Sequence, residues 1–172
     1  MPVLGSRFTL QTDGMALLLL LLTALAFPLI FLFTWDSTYK KASAFYALML
    51  LSEAGLMGVF TAADGLLFYF FWELALIPAY FLCSMWGGEN RIAVTFKFFI
   101  YTFIGSLMML IGIIWLYTQT SEHSFAIQSF YKLRLQPDDQ NWLFWLFFAA
   151  FAIKMPLFPF HSWQPDTYQQ AP

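Results

Sequence analysis

Charge is scarce in this 172-residue chain: Asp, Glu, Lys and Arg make up 10% of it, against 60% hydrophobic and 22% aromatic residues. Soluble domains carry about 25% charged residues, so an ordinary water-soluble globule is excluded. A disordered chain is excluded for the opposite reason, because disorder needs low hydrophobicity and high net charge. The formal net charge of −2 leaves no basic patch for nucleic acid and no acidic tail. Cysteine is equally rare: Cys83 stands alone inside an apolar run, so there is no disulfide framework and no metal-type pair. Also missing are a glycine-rich phosphate loop, a nucleophile elbow, a CxxC pair and a paired-histidine motif. His123 and His161 both lie outside the long apolar runs, which excludes haem ligation within them. Nothing in the residues themselves performs redox or hydrolytic chemistry, so the chain is expected to bind no cofactor and no metal of its own. A signal-peptide pattern is absent too. Arg7 is the only basic residue ahead of the first apolar run, Asp13 precedes that run, and the run is too long for a signal core.

What the sequence does have is length in its apolar runs. Five stretches are separated by short polar breaks, and they predict spans at about 14–34, 44–61, 65–86, 92–117 and 142–157, with a polar loop over 118–141. Crossing about 30 Å of hydrocarbon takes some 20 residues of helix. Runs this long, without dyad alternation, point to a helix bundle and not to a β-barrel. The expected fold is therefore all-α: a polytopic membrane bundle of about five spans in a single domain. The dense aromatic block from Phe68 to Trp72 is explained by lipid contact and helix packing.

The fifth stretch is unusual. Its apolar part, 142–155, reaches only about 21 Å as a helix before Pro156, and Pro159 follows. Each proline removes a donor from the helix ladder and frees the carbonyl four residues before it. Either the helix exits early among headgroups or it is broken inside the membrane, and the broken reading is preferred. Broken helices are tolerated where protein or water satisfies the freed backbone, typically at transport sites.

Four charges fall inside the spans: Glu53, Glu73, Lys97 and Lys154. Ionisable groups at membrane depth are expensive and mark function by default. Glu73 is near mid-span, with Pro78 five residues on, and it is either a carboxylate that pairs with a lysine or a neutral acid bonded to the kink. Lys154 lies hard against the proline break, where the partial negative charge of a half-helix end favours a cation; the alternative is snorkelling to the interface. Desolvation favours the neutral amine and a neighbouring carboxylate favours the ammonium, an opposition that suits a proton relay. Lys97 is either a secondary relay member or, one to two turns from its helix end, a snorkelling side chain. Glu53 is either a structural carboxyl or a relay member. His161 either extends a proton path or is merely solvated. From the residues alone, the chain reads as an ion or proton conductor.

The motifs are more specific. Phe70-Phe71-Trp72-Glu73 running through Pro78 and Tyr80, Lys97-Phe98-Phe99-Ile100-Tyr101-Thr102, and Phe151 through Pro156 to Pro159-Phe160-His161-Ser162-Trp163-Gln164-Pro165-Asp166 together resemble the subunit M family of respiratory complex I (NADH-quinone oxidoreductase). That family includes mitochondrial chain 4 and is related to subunits of multisubunit sodium/proton antiporters. The resemblance implies an antiporter-like fold and proton translocation coupled to electron transfer from NADH to quinone. It places NAD, FMN, iron–sulfur clusters and quinone on partner subunits. It implies neighbouring antiporter-like subunits of complex I as partners and a bacterial inner (plasma) membrane location. By this likeness Glu73 corresponds to the family's membrane glutamate and Lys154 to the lysine on its discontinuous helix, with Lys97 and His161 at less central positions. Where the family reads Asp-Ala-His, this chain has Asp166-Thr167-Tyr168, so a tyrosine replaces a histidine. The likeness runs from the family's third helix to the first half of its seventh. Other functional classes are an antiporter-complex subunit and a non-transporting membrane assembly piece. Lys40, Lys41 and Arg91, in short loops near span ends, favour the cytoplasm for those loops.

Overall fold

The computed structural model describes residues 5–172. Seven helices follow one another there: α1 (Gly14–Phe33), α2 (Ala42–Thr61), α3 (Gly65–Trp86), α4 (Arg91–Gln119), α5 (Ile127–Tyr131), α6 (Pro137–Lys154) and α7 (Trp163–Gln170). The first four are long and apolar enough to cross a membrane. Their starts are set by local chemistry. Asp13 accepts from the Ala16 amide at 2.7 Å and Asp64 accepts from the amides of Leu66 and Leu67 at 3.1 Å, so both cap helix donors that have no partner within the helix.

The chain alternates between two ends of the bundle. At one end an extended N-terminal segment is strapped over the α2–α3 turn, through Gln11 N–H to Thr61 O (2.8 Å) and Ala63 N–H to Thr9 O (3.0 Å). The loop after α4 joins it, since the Gly65 amide donates to Phe125 O (2.7 Å) and the Phe125 amide to Gly5 O (3.0 Å). At the other end the Trp86 indole donates to Lys40 O at 2.8 Å, and the Gly88 amide donates to Gln170 O at 2.9 Å.

Close helix approach rests on glycine, as expected where apolar surface alone supplies no drive between helices in lipid. A Cβ on Gly55 would meet the Ala75 backbone nitrogen at 2.7 Å, and one on Gly58 would meet the Phe71 ring. These contacts seat α2 on the Phe71/Ala75 face of α3. Gly105 and Gly112 of α4 receive Ile153 and Phe147 of α6 in the same way. The core lies between α3, α4 and α6, around Met109, Ile113, Phe125 and Ala150, with Tyr69 and Trp72 against it. A second cluster of Leu76, Phe98 and Trp163 docks α7 onto α3 and α4. By contrast α1 is exposed along most of its length.

One expectation needs correction. The stretch 118–141 is not a plain polar loop: it holds α5, and α6 begins inside it at Pro137. Proline suits the first helical position because its missing donor has no helical partner anyway. Asp138 and Asp139 fill the first turn, where carboxylates complement the helix dipole. The helix is thus 18 residues long, not 14, about 27 Å of rise.

Candidate functional site

The break after α6 is built from its prolines. The helix ends at Lys154, before Met155-Pro156, because the residue ahead of a proline disfavours the helical region. The Ala152 carbonyl freed by Pro156, and its neighbours at the end of the helix, are not left bare. The Met155 amide donates to Phe151 O (2.7 Å), the Leu157 amide to Ala152 O (2.9 Å), and the indole of Trp163 to Ile153 O (3.0 Å). The chain turns through residues 155–162 and resumes as α7, so the span is broken at Pro156 as expected.

Lys154, the last residue of α6, turns toward α3. Its ammonium stands 5.3 Å from the centroid of the Trp72 ring, and that ring meets Phe151 edge-on at 5.5 Å. An indole face attracts a cation, more strongly where water is excluded. The next residue of α3 is Glu73, the carboxylate that acts electrostatically on Lys154. One turn earlier, Tyr69 lies close to both Glu73 and Ser106 of α4, and Ser106 is itself buried. Glu73 Oε1 is buried with no hydrogen-bond partner among the described residues. Burying a polar group without a partner costs ~2–7 kcal/mol, so this oxygen is the costly polar atom of the centre. Glu73 and Lys154 do not form a contact ion pair. The pair that does form among the described residues is Lys97–Asp166.

Lys97 is therefore placed apart from that centre. Its ammonium donates to Asp166 Oδ2 at 2.9 Å and to Ser162 O at 2.8 Å, while the Ser162 hydroxyl donates to the Tyr101 hydroxyl at 3.1 Å. These bonds tie the start of α7 to α4. His161 is exposed on the turn beside Phe158, with no side-chain hydrogen bond. Glu53 is half-buried on α2 and makes no hydrogen bond or ion pair among the described residues. Of the sequence-derived site residues, the fold thus brings Glu73 and Lys154 together. It adds Tyr69, Trp72 and Ser106 around them and Asp166 as the partner of Lys97. Asp166 lies outside the apolar runs, which is why a search for charges within spans passes over it. No three His, Cys, Asp or Glu side chains gather as a metal site among the described residues.

Residues 62–172 match the family described as NADH:quinone oxidoreductase/Mrp antiporter, TM. The chain is 40% identical to the F(420)H(2) dehydrogenase subunit M of Methanosarcina mazei, over 99% of this chain and 36% of that protein. It is 38% identical to the NADH-quinone oxidoreductase subunit M of Escherichia coli K12, over 99% of this chain and 35% of the relative. Among solved structures it is similar to a chain of respiratory complex I from Thermus thermophilus with bound NADH, at a TM-score of 0.87 and 33% identity, covering 99% of this chain and 36% of that one. The chain thus spans about a third of the length of the relatives it matches. On the family match, the identities and the shared helical architecture, the chain belongs to the membrane-subunit family of NADH:quinone oxidoreductases and Mrp antiporters.

Proposed function

We propose that the chain acts as part of subunit M of a bacterial respiratory complex I, in the plasma membrane beside the other antiporter-like subunits. NADH oxidation, FMN, the iron–sulfur clusters and quinone reduction belong to partner subunits, and this chain moves protons. The observation that carries the reading is the meeting of Glu73, with an unsatisfied buried oxygen, and Lys154, at the broken end of α6. In this arrangement the Glu73 carboxylate favours the ammonium form of Lys154 and desolvation favours the amine. A small change in their separation shifts the balance, so Lys154 releases its proton when the carboxylate withdraws or is neutralised and regains one when it returns. Tyr69 and Ser106 extend the polar track beside Glu73. Lys97, with Asp166, holds the second half of the broken helix in place, and His161 and Glu53 serve as peripheral groups.

The test is Glu73→Gln in the full-length subunit, with assembly of the complex verified on a native gel. NADH-quinone turnover and proton uptake in sealed vesicles should fall to a small fraction of the parent values. Full activity in a fully assembled Glu73→Gln complex refutes the role.

A further inference from the structure

The end of the bundle that carries the 34–41 loop holds a cavity of about 400 Å³ unrelated to the Glu73–Lys154 centre. Its wall includes Lys40 and Lys41 from the loop, Arg91 from the start of α4, Met85 and Trp86 from the end of α3, and Tyr39. Three basic residues thus contribute to one cavity wall, and none of them forms an ion pair among the described residues. Asp36 and Glu89 lie in the same connections but do not line the cavity. Like charges gathered at one opening repel unless an anion neutralises them, and a protein can disperse them at little cost on loops as short as these. The site is nevertheless held in shape. Arg91 donates through Nε to Ser84 O (3.0 Å) and through Nη1 to Gly88 O (3.1 Å), which fixes the guanidinium with Nη2 left over. The Trp86 indole anchors Lys40 O at 2.8 Å. Tyr39 stacks on Phe45 at 4.1 Å, and Phe45 meets Trp86 edge-on at 5.4 Å.

An apolar track leaves the cavity on the membrane side. Met85 lines the cavity, and Phe81 and Ile77 follow at four-residue steps on α3, so the three stack on one face. All are large and exposed, at 45%, 42% and 44%. A basic cavity at the mouth of an exposed apolar stripe has the two chemistries of one amphiphile.

We infer that the Lys40–Lys41–Arg91 cavity is a binding site for an anionic phospholipid, its phosphate among the three cations and an acyl chain along Met85, Phe81 and Ile77. Free phosphate satisfies the first half of this site and leaves the apolar stripe unused, so the lipid is the favoured source. Basic pockets at membrane-helix ends recognise anionic headgroups in this manner. The site goes beyond the proton-relay reading and does not depend on it.

The experiment uses the complete complex, delipidated in mild detergent and titrated with phosphatidylglycerol carrying a photoactivatable acyl chain. Cross-linked peptides are identified by mass spectrometry. The expected result is saturable labelling of the peptide holding Ile77 to Met85. In Lys40→Gln/Lys41→Gln, which leaves the Arg91 bonds intact, the half-saturating concentration should rise on the order of thirtyfold. Labelling should persist in excess inorganic phosphate and should be weak with the phosphatidylcholine analogue. An unchanged titration in the double variant overturns the inference, as does equal labelling by phosphatidylcholine. Abolition by inorganic phosphate assigns the site to a free anion and overturns the lipid assignment.

Discussion

The α2–α3 contact makes two similar substitutions behave differently. On Gly58, an added Cβ would strike the ring of Phe71, a side chain that can be shortened. On Gly55, the new Cβ would meet backbone, with the Ala75 nitrogen at 2.7 Å and its Cα at 2.9 Å. Ordinary contacts begin near 3.4 Å, so α2 and α3 must separate by roughly half an ångström or more, which takes the whole seam out of register with a close-packed interior. Overpacking of this kind costs about 1–3 kcal/mol, offset in part by the ~1 kcal/mol gained when alanine replaces glycine in a helix. Gly55→Ala and Gly58→Ala should therefore each lower the thermal denaturation midpoint of the detergent-purified full-length protein. Adding Phe71→Ala should restore most of the packing loss of Gly58→Ala relative to Phe71→Ala alone. Adding Ala75→Gly removes only the contact with the Ala75 Cβ at 3.0 Å and should not rescue Gly55→Ala, because the two closer atoms are main chain. Rescue by Ala75→Gly, or a Gly55→Ala protein as stable as the parent, would refute the register described for this seam. The seam also bears on function: Phe71 and Ala75 face α2, which turns Tyr69, Trp72 and Leu76 toward α4, α6 and α7.

Two further outcomes follow from the electrostatics and the topology. The Lys97 and Asp166 side chains are 37% and 49% exposed, so their ion pair is discounted to at most ~1 kcal/mol. Lys97→Met and Asp166→Asn should each shift the denaturation midpoint slightly, and the double variant should be no worse than the larger single effect; strictly additive losses would show that the two do not act together. With Cys83 replaced by Ala, a cysteine placed at Ser121 should react with an impermeant thiol reagent from outside the cell, and one at Lys40 should not. The reverse pattern would invert the orientation of the bundle.

Much of this architecture could be read from the sequence, for identifiable reasons. Long uncharged runs have few physical solutions, so the four crossing helices were apparent from length alone. Lys154 stood out because it is a charge among apolar residues immediately before two prolines, and the break appears where they fall. The start of α6 carries a local signal, since Pro137 followed by Asp138 and Asp139 is a helix-start pattern, but the polarity of the stretch equally suits a loop. Gly55 and Gly58, three residues apart, are likewise a spacing that suits close helix approach. Other features were out of reach. Lys97 and Asp166 are 69 residues apart, and nothing local to either names the other. The strap of the N-terminal segment over residues 61–65 and the surroundings of Glu73 depend in the same way on which helix faces meet.

In the proposed relay Lys154 gives up and regains a proton beside Glu73, and Lys154→Arg separates that proton release from the charge itself. Arginine keeps the positive charge, and its length permits the same contact with the Trp72 ring, but it does not release its proton in a protein. The measurement is the number of protons translocated per NADH oxidised by the assembled complex in sealed vesicles, for the parent, Lys154→Ala and Lys154→Arg. Both variants should lose the protons carried through this subunit, with Lys154→Arg no better than Lys154→Ala. A Lys154→Arg complex that translocates protons at the parent ratio would contradict the proposed relay, because the charge alone and not its release would then be what the site requires.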